Sequence, residues 1–135
     1  MPTLLLVIYS LLFPSSTVRN LELTINNVVP QKGNVMVAVH NRNNFLKTRI
    51  VEKSLPAAAN SLRLSFDLPE GEYAIAVYQD GNRNQQLDTN MFGVPTEAYG
   101  FSNNIRPKFR APSFDEAKFT LNSSSKNLSI TLEKW

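Results

Sequence analysis

Short runs in which apolar and polar residues alternate recur along this chain, and a period of two is the repeat of a β-strand with one buried face. The first is Asn20-Leu21-Glu22-Leu23-Thr24-Ile25-Asn26, with Leu21, Leu23 and Ile25 on the inward face. Ser61-Leu62-Arg63-Leu64-Ser65-Phe66-Asp67 and Leu128-Ser129-Ile130-Thr131-Leu132 repeat it. Two further runs, Val35 to His40 and Glu72 to Gln79, are apolar enough to lie inside a sheet. Pro30-Gln31-Lys32-Gly33-Asn34 is turn chemistry and predicts a hairpin joining the first two strands, the start of an antiparallel meander. Leu68-Pro69-Glu70-Gly71 predicts a tight turn, with proline presetting φ and Gly71 taking the positive φ that closes it.

The rest of the chain is less regular. Between Asn41 and Asn60 the pattern weakens, and Ile50 to Leu55 fits an edge strand or a helical turn equally. Residues 80–112 form one long irregular segment, interrupted by Gly93, Pro95, Gly100, Pro107 and Pro112. A loop of that length in a small domain is functional, self-packed or pinned by a metal. Ser113-Phe114-Asp115-Glu116 has the form of a capping box and predicts a single helical turn before a strand at Ala117 to Leu121, followed by a turn at Asn122 to Lys126. The expected fold is therefore all-β: a single antiparallel β-sandwich, immunoglobulin-like or prealbumin-like, of about seven strands with one long irregular loop segment.

Composition agrees with one domain. The chain has 135 residues, 42% hydrophobic and 19% charged, enough to bury a core and too apolar for disorder. The +3 net charge comes from basic residues spread singly, and no run tracks a phosphate backbone, so nucleic acid is not an expected partner. The densest stretch, Arg106-Pro107-Lys108-Phe109-Arg110, reads as a solvated loop that could also face an anionic surface. With no cysteine there is no disulfide, thiolate nucleophile or Cys-ligated zinc. Leu4 to Phe13 is an apolar run of signal-peptide length, and Pro14-Ser15-Ser16-Thr17 follows as a small-residue turn. Residues 1–17 are accordingly expected to be a signal peptide, leaving a periplasmic or secreted domain over 18–135 with no membrane contact beyond that leader. The run falls short of the ~20 residues that span a bilayer comfortably.

Two segments carry the candidate chemistry. From Asp80 to Asn90, oxygen-bearing side chains fall at every second position directly after a strand. Asp80, Asn82, Asn84 and the Gln86 backbone occupy positions 1, 3, 5 and 7 of a calcium loop, and Asp88 offers a further ligand. A complete EF-hand is excluded, because Met91 stands where a bidentate Glu belongs and Gln85 where glycine does. The competing reading is an Asn- and Asp-rich hairpin whose side chains bond their own backbone amides. In the second segment Tyr99, Phe101, Asn103 and Asn104, with Glu97 nearby, form either a shelf for a glycan or protein ligand or a loop packed back onto the sandwich. His40 is the sole histidine, ends a strand and is expected at the surface. Without a second histidine, multi-His zinc sites are excluded and a carboxylate pair is the one catalytic device available.

The blocks Leu68-Pro69-Glu70-Gly71-Glu72-Tyr73-Ala74, Asp80-Gly81-Asn82-Arg83-Asn84, Gly93 to Asn104 and Pro112 to Ala117 resemble the exported bacterial family called domain of unknown function 2141. The resemblance covers nearly all of the chain after the leader, and Tyr99-Gly100-Phe101-Ser102-Asn103-Asn104 is its most specific stretch. It implies a signal-peptide-bearing β-sandwich and assigns no activity. The expected function is an exported, non-catalytic binding or structural module whose 80–90 loop is either calcium-stabilised or closed by its own hydrogen bonds. The alternatives are a carbohydrate- or peptide-active enzyme using loop carboxylates, and an adhesion or assembly subunit.

Overall fold

The computed structural model describes residues 17–122 and 125–135. The expected leader therefore lies, apart from Thr17, outside the described residues. Among the described residues eight strands occupy β1 Val18–Asn26, β2 Asn34–His40, β3 Val51–Pro56, β4 Ser61–Pro69, β5 Gly71–Asp80, β6 Tyr99–Phe101, β7 Phe119–Leu121 and β8 Ser125–Thr131. They form two packed sheets, one ordered β4-β1-β8 and the other β3-β2-β5-β6, with β7 also on β5. The fold is the expected all-β sandwich, and the unassigned stretch before Asn60 supplies edge strand β3.

The core lies where alternation put it. Leu21, Leu23 and Ile25 of β1 face Val35, Val37 and Val39 of β2 and Ile75 and Val77 of β5, all buried. Strand pairing departs from the sequence reading. β1 and β2 belong to opposite sheets and are not a hairpin; β1 pairs instead with β4, from Val18 opposite Pro69 to Asn26 opposite Ser61. Alternation identifies a buried face but not the neighbour along the edge, and in a sandwich consecutive strands often cross between sheets. β8 lies parallel to β1, Leu23 opposite Leu128, unlike the antiparallel remainder. It enters from β7 in the other sheet, so no tight hairpin sets its direction.

The Pro69–Gly71 segment is likewise a crossing between sheets. Gly33 and Gly93 are the glycines at positive φ among the described residues, and Gly71 is not one of them. Instead, the Tyr73 hydroxyl donates to the Pro69 carbonyl at 2.6 Å and pins the corner, as tyrosines do at sandwich corners. Burial raises the Tyr73 hydroxyl above its ordinary pKa. His40 is also corrected: it is 5% exposed, with Nδ1 2.8 Å from the Thr48 carbonyl and its ring edge-on to Phe45. It ties down the 41–50 turn, whose Phe45 packs with Phe114, Phe101 and Ala74 as a small second core on the outer face of the β5 sheet.

Candidate functional site

The segments after β5 and β6 meet at one end of the sandwich. Asp80 closes β5 with 1% exposure, and its carboxylate accepts N–H from Asn84 at 3.1 Å and Gln85 at 2.7 Å. These bonds coil the chain tightly enough to place Arg83 and Gln85 at positive φ. Asp88 accepts the side-chain amides of Asn82 and Asn84, each at 2.6 Å. The amide oxygens of those asparagines point back to the Asn84 and Gln86 N–H groups. Glu97 accepts Gly81 N–H at 2.8 Å and Asp88 N–H at 2.9 Å, closing the loop onto the strand.

Asp80, Asn82, Asn84, Gln86 and Asp88 are thus brought together, joined by Glu97, in a hydrogen-bonded knot. Gln86 takes part through its backbone N–H. Among the described residues no group of three or more Asp, Glu, His or Cys side chains is disposed to hold a metal ion. What the arrangement does visibly is give each of three carboxylates two N–H donors from a winding loop, which stabilises it without a regular element.

The second predicted group divides. Tyr99 and Phe101, rings 6.0 Å apart, lie on the outer face of β6, while Asn103 and Asn104 brace the fold. Asn103 donates to the Glu116 and Lys118 carbonyls, and Asn104 bonds Thr131 N–H and the Ser129 carbonyl. Both asparagines sit at positive φ, φ 65 and 50, a conformation their short amides tolerate. Ser102, just before them, is fully buried; its hydroxyl accepts Ile75 N–H at 3.0 Å and donates to the Ala117 carbonyl.

Sequence reasoning missed the feature these braces frame. A cleft of about 500 Å³ opens between the 87–95 and 105–112 segments, lined among others by Leu46, Phe92, Val94, Phe101, Phe109 and Trp135. On one side Asn90 Oδ1 accepts N–H from Phe92 and Val94, and Gly93 at φ +77 lets the chain reverse. This turn holds Met91 91% and Phe92 82% exposed. On the other side Phe109, 91% exposed and at φ 63, sets its ring 5.6 Å from Trp135. Positive φ is unusual for a bulky residue, and here it turns the ring out of the loop.

Arginines buttress the walls. Arg106 lies 4.2 Å over the Tyr99 ring and donates to the Tyr99 and Glu133 carbonyls. Arg110 grips both oxygens of Glu116, which also accepts Ser113 N–H in the predicted capping box of a four-residue helix, Phe114–Ala117. The Arg110 guanidinium, and then Ser113 N–H, lower the Glu116 pKa to about 2. A second depression, about 520 Å³ along Glu22, Thr24, Arg63 and Ser65, lies on the outer face of the β4-β1-β8 sheet and is polar. The sequence signal for the cleft was available: Phe92 and Phe109 are apolar residues with no strand or helix period to bury them.

The family model described as "Uncharacterized protein conserved in bacteria (DUF2141)" matches residues 23–129, so the chain belongs to that family. Neither the comparison with curated proteins nor that with solved structures returned a match.

Proposed function

For this member of a bacterial family, we propose an exported, non-catalytic binding module that seats an apolar ligand group in the cleft between the 87–95 and 105–112 segments. The observation that carries the reading is the aromatic lining held open by polar braces, because a globular surface rarely leaves so many large apolar side chains exposed together without a partner. The lining favours an apolar group over a glycan, since sugar recognition needs several convergent polar groups and Arg106 and Arg110 already serve the walls. A non-catalytic role is supported by Asp80, Asp88 and Glu97, whose carboxylates accept N–H groups of their own loop. Export is supported by the apolar Leu4 to Phe13 run with its small-residue turn. The 80–98 loop then acts as the cleft's foundation.

The test is titration with anilinonaphthalene sulfonate, a dye that brightens on entering apolar sites. Saturable binding of one dye per chain is expected, lost in Val94→Arg, which puts a charge in the cleft, at unchanged melting temperature. Absent binding, or binding that Val94→Arg leaves intact, would overturn the reading.

A further inference from the structure

Cations stand next in sequence to apolar residues that line the cleft, at Leu46-Lys47, Lys108-Phe109-Arg110 and Lys134-Trp135, and Arg110 itself lines it. Arg110 is paired with Glu116, whereas Lys47, Lys108 and Lys134 are exposed and make no ion pair with the described residues. Aromatic rings flanked by unneutralised lysines suit a boundary that is apolar on one side and anionic on the other.

We propose that this end of the sandwich docks on an anionic lipid surface. The Met91–Phe92 turn and the Phe109–Trp135 pair enter the interface, and Lys47, Lys108 and Lys134 meet head-group phosphates. The inference rests on the cleft reading above and names its partner. Charge argues against a second copy of the chain, since a self-complementary contact would bring the same lysines together. A peptide partner is disfavoured by shape: Met91, Phe92 and Phe109 are 91%, 82% and 91% exposed, so they project as tips, whereas peptide anchors seat in recessed walls. The Phe92 turn is also pre-organised, because Asn90 holds its backbone through the Phe92 and Val94 N–H groups, so little backbone order is lost there on insertion. Among the described residues no helix is long and apolar enough to cross a membrane.

Trp135 is the sole tryptophan, so its emission reports this patch and not the apolar Leu4 to Phe13 run. The full chain is mixed with vesicles of phosphatidylcholine, alone or with phosphatidylglycerol. The anionic vesicles are expected to shift Trp135 emission to the blue, with quenching by brominated acyl chains and weakening as salt rises. Each lysine near such a surface contributes about fivefold in affinity, so Lys108→Glu with Lys134→Glu weakens binding more than about tenfold. Phe92→Ser weakens it independently, and because all three side chains are exposed the variants keep the parent melting temperature. Equal response to neutral and anionic vesicles overturns the inference, as does sedimentation with vesicles without quenching of Trp135. If the dye still binds in the cleft while vesicles leave Trp135 unchanged, the lipid assignment falls and the apolar cleft stands. If the dye fails too, both fall.

Discussion

Replacing Ser102 by alanine tests how the loop end is joined to the sandwich. Along one edge of β5, Gly71–Tyr73 pairs with β7 and Ala76–Tyr78 with β6, leaving a gap at Ala74 and Ile75. The N–H of Ile75 points into that gap, and the Ser102 hydroxyl takes the place of a strand carbonyl while donating its own hydrogen bond to the Ala117 carbonyl. Ser102 and Ile75 are both fully buried, so water does not readily replace the lost group. An orphaned buried N–H costs about 1–3 kcal/mol, and losing the donor to Ala117 adds a smaller amount, giving about 2–3 kcal/mol for Ser102→Ala. In a domain of this size that is a fall of roughly 10 °C in melting temperature. Urea titration followed by circular dichroism measures it, and Ser102→Thr, which keeps the hydroxyl, separates lost hydrogen bonds from altered packing. A loss below about 0.5 kcal/mol would refute the bridging role, because surface substitutions without such partners fall in that range.

Gly33→Ala should destabilise by more than about 1 kcal/mol in the same assay, since Gly33 sits at φ +63 and an added Cβ would stand 2.0 Å from the Asp80 carbonyl oxygen. The folded Glu116 pKa of about 2 lies below its ordinary 4.5, so its contribution is present above 4.5 and is lost as pH falls from there towards 2. The melting-temperature gap between the parent and Glu116→Gln should therefore narrow across that window and stay flat from pH 5 to 7. Because the oxygens of Asn82 and Asn84 already accept backbone N–H groups, melting in millimolar calcium and in chelator should coincide. A rise in calcium that disappears in Asp88→Ala would instead show the loop rearranging around a cation.

The buried faces of the strands were legible because period two is local: Leu21, Leu23, Ile25 and Phe66 needed no knowledge of their partners. Pairing was not, because β1 meets β4 and β8 through contacts between distant segments, and the Asn26 to Asn34 turn chemistry does not distinguish a hairpin from a crossing between sheets. The Asp80–Asp88 loop was legible as a self-bonding unit since its partners lie within a few residues. Its clamp by Glu97 depends on the chain returning. Tyr99 and Phe101, for which the sequence leaves both a ligand shelf and a packed loop open, line the cleft, whereas Asn103 and Asn104, identical in chemistry to exposed loop amides, brace α-helical and strand carbonyls behind it. Gln79 left no sequence signal: its buried amide bonds Val29 and the Lys32 carbonyl, fixing the loop between β1 and β2 from the end of β5.

The central claim is that the aromatic cleft, not the carboxylate loop or the polar sheet face, is the binding surface. Chemical-shift mapping of isotopically labelled protein during titration with a short-chain alcohol such as hexanol tests it most directly. The account predicts saturable shifts confined to Leu46, Val94, Phe101, Phe109 and Trp135. Shifts centred on Glu22, Thr24 and Arg63, or none that saturate, would contradict it.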